Sequence, residues 1–274
     1  MAGTLMFPLP LTTDKDLNGE GVDLEKKNMK WNKKYQYPRS MRKVIDSLRH
    51  YEIGSWTLPS VTTVLGQTKD QQSLKDWRAR IGDLEADKIV NTASKRGTAM
   101  HTYLEKYLDN TGYKDMTELG QIAEKMAQEV IRQGLRMQLQ EIWGSEVTLY
   151  YPGLYAGSTD VVGVYNDEPS IIDFKQSNKP KQEAWIGDYY MQIAAYAMAH
   201  DYIHHTAITQ GVILICTPDL KFQKFVINGS RLRQEKHNFL RRLNEYYELR
   251  QNEKEKANID TKELEKAFNK ELHD

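Results

Sequence analysis

The run Ser170 to Phe174, read together with the lysine after it, constrains this chain more than any other feature. Ile171-Ile172-Asp173-Phe174-Lys175 is an apolar, β-branched segment that ends in charge, which reads as a buried strand with a functional end. Residues two apart on a strand share a face, so Asp173 and Lys175 project together while Phe174 turns the other way. Glu146 to Tyr151 and Ser158 to Tyr165 are strand-like runs before it, and Gln210 to Cys216 and Phe222 to Ile227 follow, split by the turn Thr217-Pro218-Asp219. The order is helices, three strands, one helix, two strands, one helix. It predicts an α/β fold in which a central mixed β-sheet is flanked by helices, with one crossover helix and the early helices covering one side.

Tyr51 to Leu65 predicts a hairpin leading into a short helix. Ser73 to Asn91 predicts a helix with Leu74, Trp77, Ile81, Leu84 and Lys88 on one stripe, and Ala93 to Leu108 a second with His101, Leu104 and Leu108 at helical spacing. Thr117 to Trp143 predicts one long helix carrying Ile122, Met126, Val130 and Met137. Lys181 to Tyr202 predicts the crossover helix, and Ser230 a cap for a last helix reaching about Arg250. Residues 1–50 read as a partly flexible arm, 51–250 as one domain (helical part 51–143, sheet core 144–250), and 251–274 as a charged tail. Lys26, Lys27, Lys30, Lys33, Lys34, Arg39, Arg42 and Lys43 make the end of the arm locally basic, either a solvated face or a contact region for backbone phosphates.

Composition excludes more than it selects. The 274 residues carry 38 basic and 38 acidic side chains, a balance that does not advertise a nucleic-acid binder but leaves room for charge sorted between faces. One cysteine, Cys216, rules out a disulfide framework and a multi-cysteine metal or iron–sulfur site; its apolar neighbours give it a core role. G-x-x-x-x-G-K-[ST], G-x-S-x-G and a complete G-x-G-x-x-G are all missing, so no ATP motor is expected. No apolar run approaches the roughly 20 residues of a membrane span. Met1 to Asp16 lacks the pattern of a secretory or mitochondrial leader, which sets the expectation of a cytoplasmic protein without membrane partners.

Asp160 lies thirteen residues before Asp173, in Gly157-Ser158-Thr159-Asp160, where the small residue leaves room for substrate or metal. Carboxylates hold a hard divalent cation, and an ammonium beside them steadies a nucleophilic water, which suits metal-assisted phosphodiester hydrolysis. Taken alone, D-x-K arises often by chance, and both acids also fit ordinary turn or strand-end positions. His101 lies on a helix in Arg96-Gly97-Thr98-Ala99-Met100-His101; imidazole is tolerated in Mn²⁺ or Mg²⁺ sites, and Thr98 shares its face. Gln192 and Tyr196, four apart with Tyr189 extending the stripe, read either as packing or as an amide on the water or scissile phosphate with a phenol on the DNA backbone. Ser177-Asn178-Lys179-Pro180-Lys181 is a basic loop directly after the D-x-K strand, and Ser60, Thr62 and Thr63 offer hydroxyls at a helix start. Trp77 could stack a base, although its apolar stripe makes a core place the default. His200-Asp201 and His204 loosely resemble the H-E-x-x-H zinc pattern, without its glutamate or a third ligand.

The helical histidine, G-x-x-D, D-x-K and Q-x-x-x-Y, all in this order, resemble the PD-(D/E)XK nuclease superfamily in its RecB-like exonuclease branch. The likeness is closest to phage exonucleases and the mitochondrial genome maintenance exonucleases. It rests on Leu58 to Leu65, the Trp-bearing helix Leu74 to Arg80, Gly97 to His101, and Ile172 to Lys181, and runs from about Arg49 to Arg250. It implies a restriction-endonuclease-like core with an N-terminal helical region arching over the site. It further implies Mg²⁺ or Mn²⁺ held by His101, Asp160, Asp173 and the carbonyl of Phe174, with Glu146 helping through a metal-bound water. Lys175 would orient the attacking water and Gln192 hold the water or the scissile phosphate. DNA contacts would come from Ser60, Thr62, Trp77, Arg96, Thr98, Ser177, Lys179, Lys181 and Tyr196. The activity implied is a metal-dependent DNA exonuclease in replication, recombination or repair, preferring single strands with free ends, without an iron–sulfur cluster or ATP. A structure-selective endonuclease and a catalytically silent DNA-binding module are the alternatives; the intact Asp160, Asp173 and Lys175 argue against the silent one.

Overall fold

A computed structural model describes residues 14–15, 21–22, 29–252, 266–267 and 269–270. The chain opens with short strands β1 (Asp14–Lys15), β2 (Gly21–Val22) and β3 (Lys30–Trp31), then β4 (Met41–Ile45), β5 (Leu48–Ile53) and β6 (Trp56–Pro59). Helices α1 (Val61–Gln67), α2 (Gln72–Ile81), α3 (Asp83–Leu108) and α4 (Glu118–Val130) follow. The remainder is β7 (Leu139–Tyr151), β8 (Tyr155–Tyr165), β9 (Glu168–Gln176), α5 (Gly187–His204), β10 (Gln210–Cys216), β11 (Phe222–Asn228) and α6 (Gly229–Asn252). The main sheet has six strands in the order β11-β10-β9-β8-β7-β3, and β4-β5-β6 form a separate three-stranded sheet. β9 and β10 are parallel and joined through α5, while β7-β8-β9 is an antiparallel meander, so the expected mixed sheet with a crossover helix is present.

Alternation along the strands divides the core. Ile171, Val162, Ile213 and Ile215 pack with α1, α5 and α6, whereas Ile172, Phe174, Val161, Val212, Leu214 and Cys216 pack with α3 and α4. Buried on both faces, β9 and β10 read as near-continuous apolar runs. α5 is buried from Tyr190 through His200, as a helix enclosed between sheet and helices must be. No helix among the described residues is long and apolar enough to cross a membrane.

Several boundaries differ from the periodicity reading, each for a local reason. The first long helical stretch breaks at Gly82, where φ is +84°, rather than near Thr92; α3 then runs uninterrupted for 26 residues. The helix expected through Trp143 stops at Val130, passes through a π-turn at Ile131–Leu135, and gives way to β7 at Leu139 after Met137 turns to φ +65°. Leu139, Ile142 and Trp143 suit a helix stripe and a buried strand equally, and sheet pairing decides. The helix after the D-x-K strand starts at Gly187, behind a single 3₁₀ turn, and the last helix starts at Gly229, so Ser230 lies inside it. Residues 30–31, 41–45 and 48–50 of the span read as an arm form strands. Trp31 donates to the carbonyl of Leu108 at 3.0 Å, and β4 pairs with β5 through a two-residue turn, Asp46-Ser47, with φ of +49° and +64°. Lys26, Lys27 and most of the charged tail lie outside the described residues.

His200 is structural. Its ring stacks on Trp143, with Nδ1 2.8 Å from the Thr206 hydroxyl and Nε2 3.2 Å from the Tyr37 hydroxyl. Burial, then the neighbouring His204, pushes its pKa down to about 3. The unfolded chain therefore binds a proton near pH 6.5 that the folded chain refuses, and stability falls as pH drops below 6.5. From pH 6.5 to 5 this group alone is expected to remove about 2 kcal/mol. Urea unfolding of wild type and His200→Gln across that range checks it: the variant should lose that share of the slope, and parallel slopes would count against it.

Candidate metal and nucleic-acid site

The site forms where β8 and β9 part. Their ladder runs from Tyr165↔Glu168 to Val161↔Ile172 and then stops. Beyond it the backbone N–H of Phe174 donates instead to Asp160 Oδ2, at 2.6 Å. On the other side, Ser145↔Val161 and Val147↔Thr159 are in register, so Glu146 faces Asp160 across the ladder. His101 descends from α3 and brings Nδ1 to 3.2 Å from Asp160 Oδ1. One ligand atom each from His101, Glu146 and Asp160 lies within 4.8 Å of the others. An imidazole and two carboxylates, with no thiolate, fit an oxygen-preferring divalent cation that tolerates nitrogen.

Asp173 stands outside that group. Its Oδ2 lies 2.5 Å from Lys175 Nζ, and the ammonium sits 5.1 Å from the centre of the Tyr189 ring. The same-face placement of Asp173 and Lys175 is thus present, with Phe174 in the opposite core layer. Glu146, expected only in a supporting role, stands with His101 and Asp160 and adopts φ +51° inside a strand. A non-glycine residue there stores strain of about 1–3 kcal/mol. Glu146→Gly should therefore leave the fold as stable or more stable while weakening divalent-metal binding; a lowered unfolding midpoint with unchanged Mn²⁺ affinity would contradict both halves.

Charge in this cluster is mutually sustained. Burial raises the Asp160 carboxyl, but His101 and Lys175 outweigh it and hold the group below the usual carboxylate range. Burial works against charge on His101 too, yet the Asp160 carboxylate raises it to about 9. Asp173 goes the other way: burial lifts it to about 6 in spite of Lys175. Glu146, at the mouth of the cavity, is pushed up to about 7 by partial desolvation and the Asp160 charge. Three carboxylates thus share one imidazole and one ammonium, an arrangement that a divalent cation would relieve.

A cavity of 440 Å³ opens over His101, Glu146 and Asp160, lined also by Ser60, Thr62, Thr98, Gln192 and Tyr196. Ser60 is buried and spends its hydroxyl capping α1, accepting from Thr63 N at 2.9 Å. Tyr196 is buried as well; its hydroxyl accepts from Gln192 Nε2 at 3.3 Å, which orients the amide. A Cβ on Gly157 would stand 2.7 Å from the Tyr196 ring, so the small residue makes room for that ring rather than for substrate. Arg96 is turned inward, with Nε donating to Gln176 at 3.1 Å and its terminal nitrogen to Asn178. Ser177 donates to the Lys179 carbonyl at 2.6 Å and shapes the loop. Trp77 is not a core residue: α2 buries nothing, and Leu74 and Leu84 of the expected stripe are 46% and 75% exposed. Trp77, Ser177, Lys179 and Lys181 line a second cavity beside the first.

The sequence marked Arg42 only as part of a locally basic arm, and Arg49 not at all. The register Arg42↔Tyr51 and Val44↔Arg49 puts both on the face of the β4–β5 hairpin that, with Tyr51, lines the metal cavity. Among the described residues neither guanidinium has an ion-pair partner, although Glu105 and Glu146 line the same space. The signal was available in the two-residue turn Asp46-Ser47, which fixes that register.

No family model matches the chain. It is 28% identical over 179 residues to mitochondrial genome maintenance exonuclease 1 of Xenopus tropicalis, covering 60% of this chain and 49% of that one. It is 27% identical over 212 residues to the human protein of the same name, covering 72% and 60%. The chain thus spans about half to three-fifths of the length of these curated relatives. A crystal structure from Eubacterium rectale, provisionally named an exonuclease, matches 57% of this chain and 68% of its own at 15% identity with a TM-score of 0.38, too distant to add to the reading. With G-x-x-D and D-x-K on one mixed sheet, a histidine and Q-x-x-x-Y on the helices that flank it, and with these relatives, the chain is similar to PD-(D/E)XK exonucleases.

Proposed function

We propose that this protein is a metal-dependent DNA exonuclease that takes single strands by a free end. The observation that carries the reading is the meeting of His101, Glu146 and Asp160 within 4.8 Å, beside the Lys175–Asp173 pair. The exonuclease names of the relatives support a nuclease function. A divalent cation, Mg²⁺ or Mn²⁺, would supply Lewis-acid polarisation of the scissile phosphate and a more acidic water. His101, Asp160 and Glu146 would hold it, with the carbonyl of Phe174 and the Asp173 carboxylate as further oxygen donors. Lys175 orients the attacking water and offsets charge that builds on the phosphoryl oxygens. Gln192, steadied by Tyr196, donates to the water or to a non-bridging oxygen. Water adds to phosphorus, the P–O3′ bond breaks, and the ends are a 5′-phosphate and a 3′-hydroxyl. Arg42 and Arg49 supply backbone-phosphate contacts at the same cavity.

End-labelled linear and circular single-stranded DNA, each with Mg²⁺ or Mn²⁺, test the reading. Linear DNA should be degraded and circles survive. Cut circles would favour a structure-selective endonuclease, and intact but bound linear DNA a silent binding module. Removal of metal with a chelator should stop degradation, and added Mn²⁺ should restore it. Asp160→Asn should lose calorimetric Mn²⁺ binding while keeping its fold.

A further inference from the structure

The second cavity, about 700 Å³, is chemically unlike the first. The metal cavity is rich in carboxylates; this one is lined by Trp77 and Arg80 of α2, Ile89 of α3, the loop 176–181, Trp185 and Tyr189, and contains no acid. Its cations Arg80, Lys179 and Lys181 have no ion-pair partner among the described residues. Trp185 is 61% exposed, and Trp77 comes from a helix that buries nothing, so neither tryptophan is placed by core packing. Tyr189 lines this cavity and also carries the Lys175 ammonium over its ring at 5.1 Å, which sets the cavity beside the Lys175–Asp173 pair. The Arg96 bridge to Gln176 and Asn178 fixes the wall on the side of α3.

Exposed aromatic faces next to unpaired cations, with no acid present, match a polyanion that carries flat apolar groups. Paired bases hide their faces inside a duplex, whereas an unpaired strand offers them. We infer that the Trp77–Trp185 cavity is a stacking pocket for the unpaired bases of the strand next to the scissile phosphate, with Lys179, Lys181 and Arg80 on the flanking phosphates. It rests on the nuclease reading and deepens it: the selection of single over double strands is made in this pocket, through base faces and without base identity, rather than at the metal. Trp185, absent from the residues the sequence singled out, is its least encumbered wall.

Anisotropy titrations in chelator, which stops turnover, test this with a labelled 12-mer of dT and a 12-mer of abasic spacers carrying the same backbone charge. Wild type should bind the dT oligomer at least tenfold more tightly. Trp185→Ala and Trp77→Ala should each lose most of that margin while keeping their affinity for the abasic oligomer. Equal affinity of wild type for both oligomers, or full discrimination retained by both variants, overturns the pocket. If wild type then still degrades linear DNA with Mn²⁺, the pocket fails alone and the nuclease reading stands. If it binds neither oligomer and degrades nothing, both fall. Neither tryptophan lies in the core, so folding of the variants, checked by circular dichroism, is expected to be unchanged.

Discussion

Lys175→Ala is expected to lower single-turnover cleavage by about 10³-fold or more while leaving single-stranded DNA affinity within a few-fold of wild type. The ammonium lies beside Asp173 at 2.5 Å and over the Tyr189 ring, on the strand face that packs toward α5, the helix carrying Gln192, so the proposed role puts it on the reacting water rather than on the distant backbone. Removing it also leaves the buried Asp173 carboxylate without its partner, a change that typically costs about 3–5 kcal/mol if the acid stays charged. The Asp173 pKa already sits up at about 6, so protonation absorbs part of that cost. Lys175→Arg separates charge from geometry: it restores the partner of Asp173 but spreads the charge over a planar fork. It should regain the unfolding midpoint and little of the rate. Near-normal cleavage by the alanine variant refutes the assigned role.

The largest effect on stability is expected at Gly163. A Cβ built there stands 2.0 Å from the carbonyl oxygen of Glu141, where β7 and β8 slip register between Leu139/Glu141 and again between Ile142/Gly144. A backbone carbonyl cannot swing aside as a side chain can, so the bulge must open or the sheet must shift. Gly163→Ala should cost about 3 kcal/mol or more in urea unfolding. Gly157→Ala is the useful contrast: the atoms in its way, at 2.7 Å, belong to the Tyr196 ring, which can move. That variant should cost less stability and act mainly on catalysis, by disturbing the Gln192 amide that Tyr196 accepts from. A loss under about 0.5 kcal/mol at Gly163 would mean the strand crossing is looser than its geometry indicates.

The sheet was legible in the sequence because its central strands are buried on both faces and bounded by turn residues, and because D-x-K near the end of β9 and G-x-x-D within β8 keep their places whatever the boundaries of the helices. What failed was local. Leu139 to Trp143 satisfies helical and strand patterns alike, and only pairing with β8 decides between them. The Leu74, Trp77, Ile81 and Leu84 stripe has helical spacing but no partner surface, since periodicity reports a face and not what covers it. At the site, His101, Glu146 and Asp160 lie together and Asp173 pairs with Lys175. Glu146 owes its place to a left-handed residue inside a strand, which no composition rule announces. Arg49 escaped, and Arg42 was placed only in a basic arm, because the arm gives no apolar alternation and the register lies in the turn Asp46-Ser47 alone.

The hydrogen bond by which Asp160 takes the Phe174 N–H bears on ion choice. With Oδ2 accepting from the main chain at 2.6 Å and its second lone pair the only one left there, Oδ1, 3.2 Å from His101 Nδ1, is the atom that Asp160 would offer a cation first, which favours monodentate binding. A large cation that seeks seven or eight oxygens and favours chelating carboxylates is poorly matched to such a donor, whereas a small octahedral ion that keeps several of its own waters is well matched. If the proposed function holds, the fork in the sheet would bias the site toward a small octahedral ion over calcium before any substrate arrives.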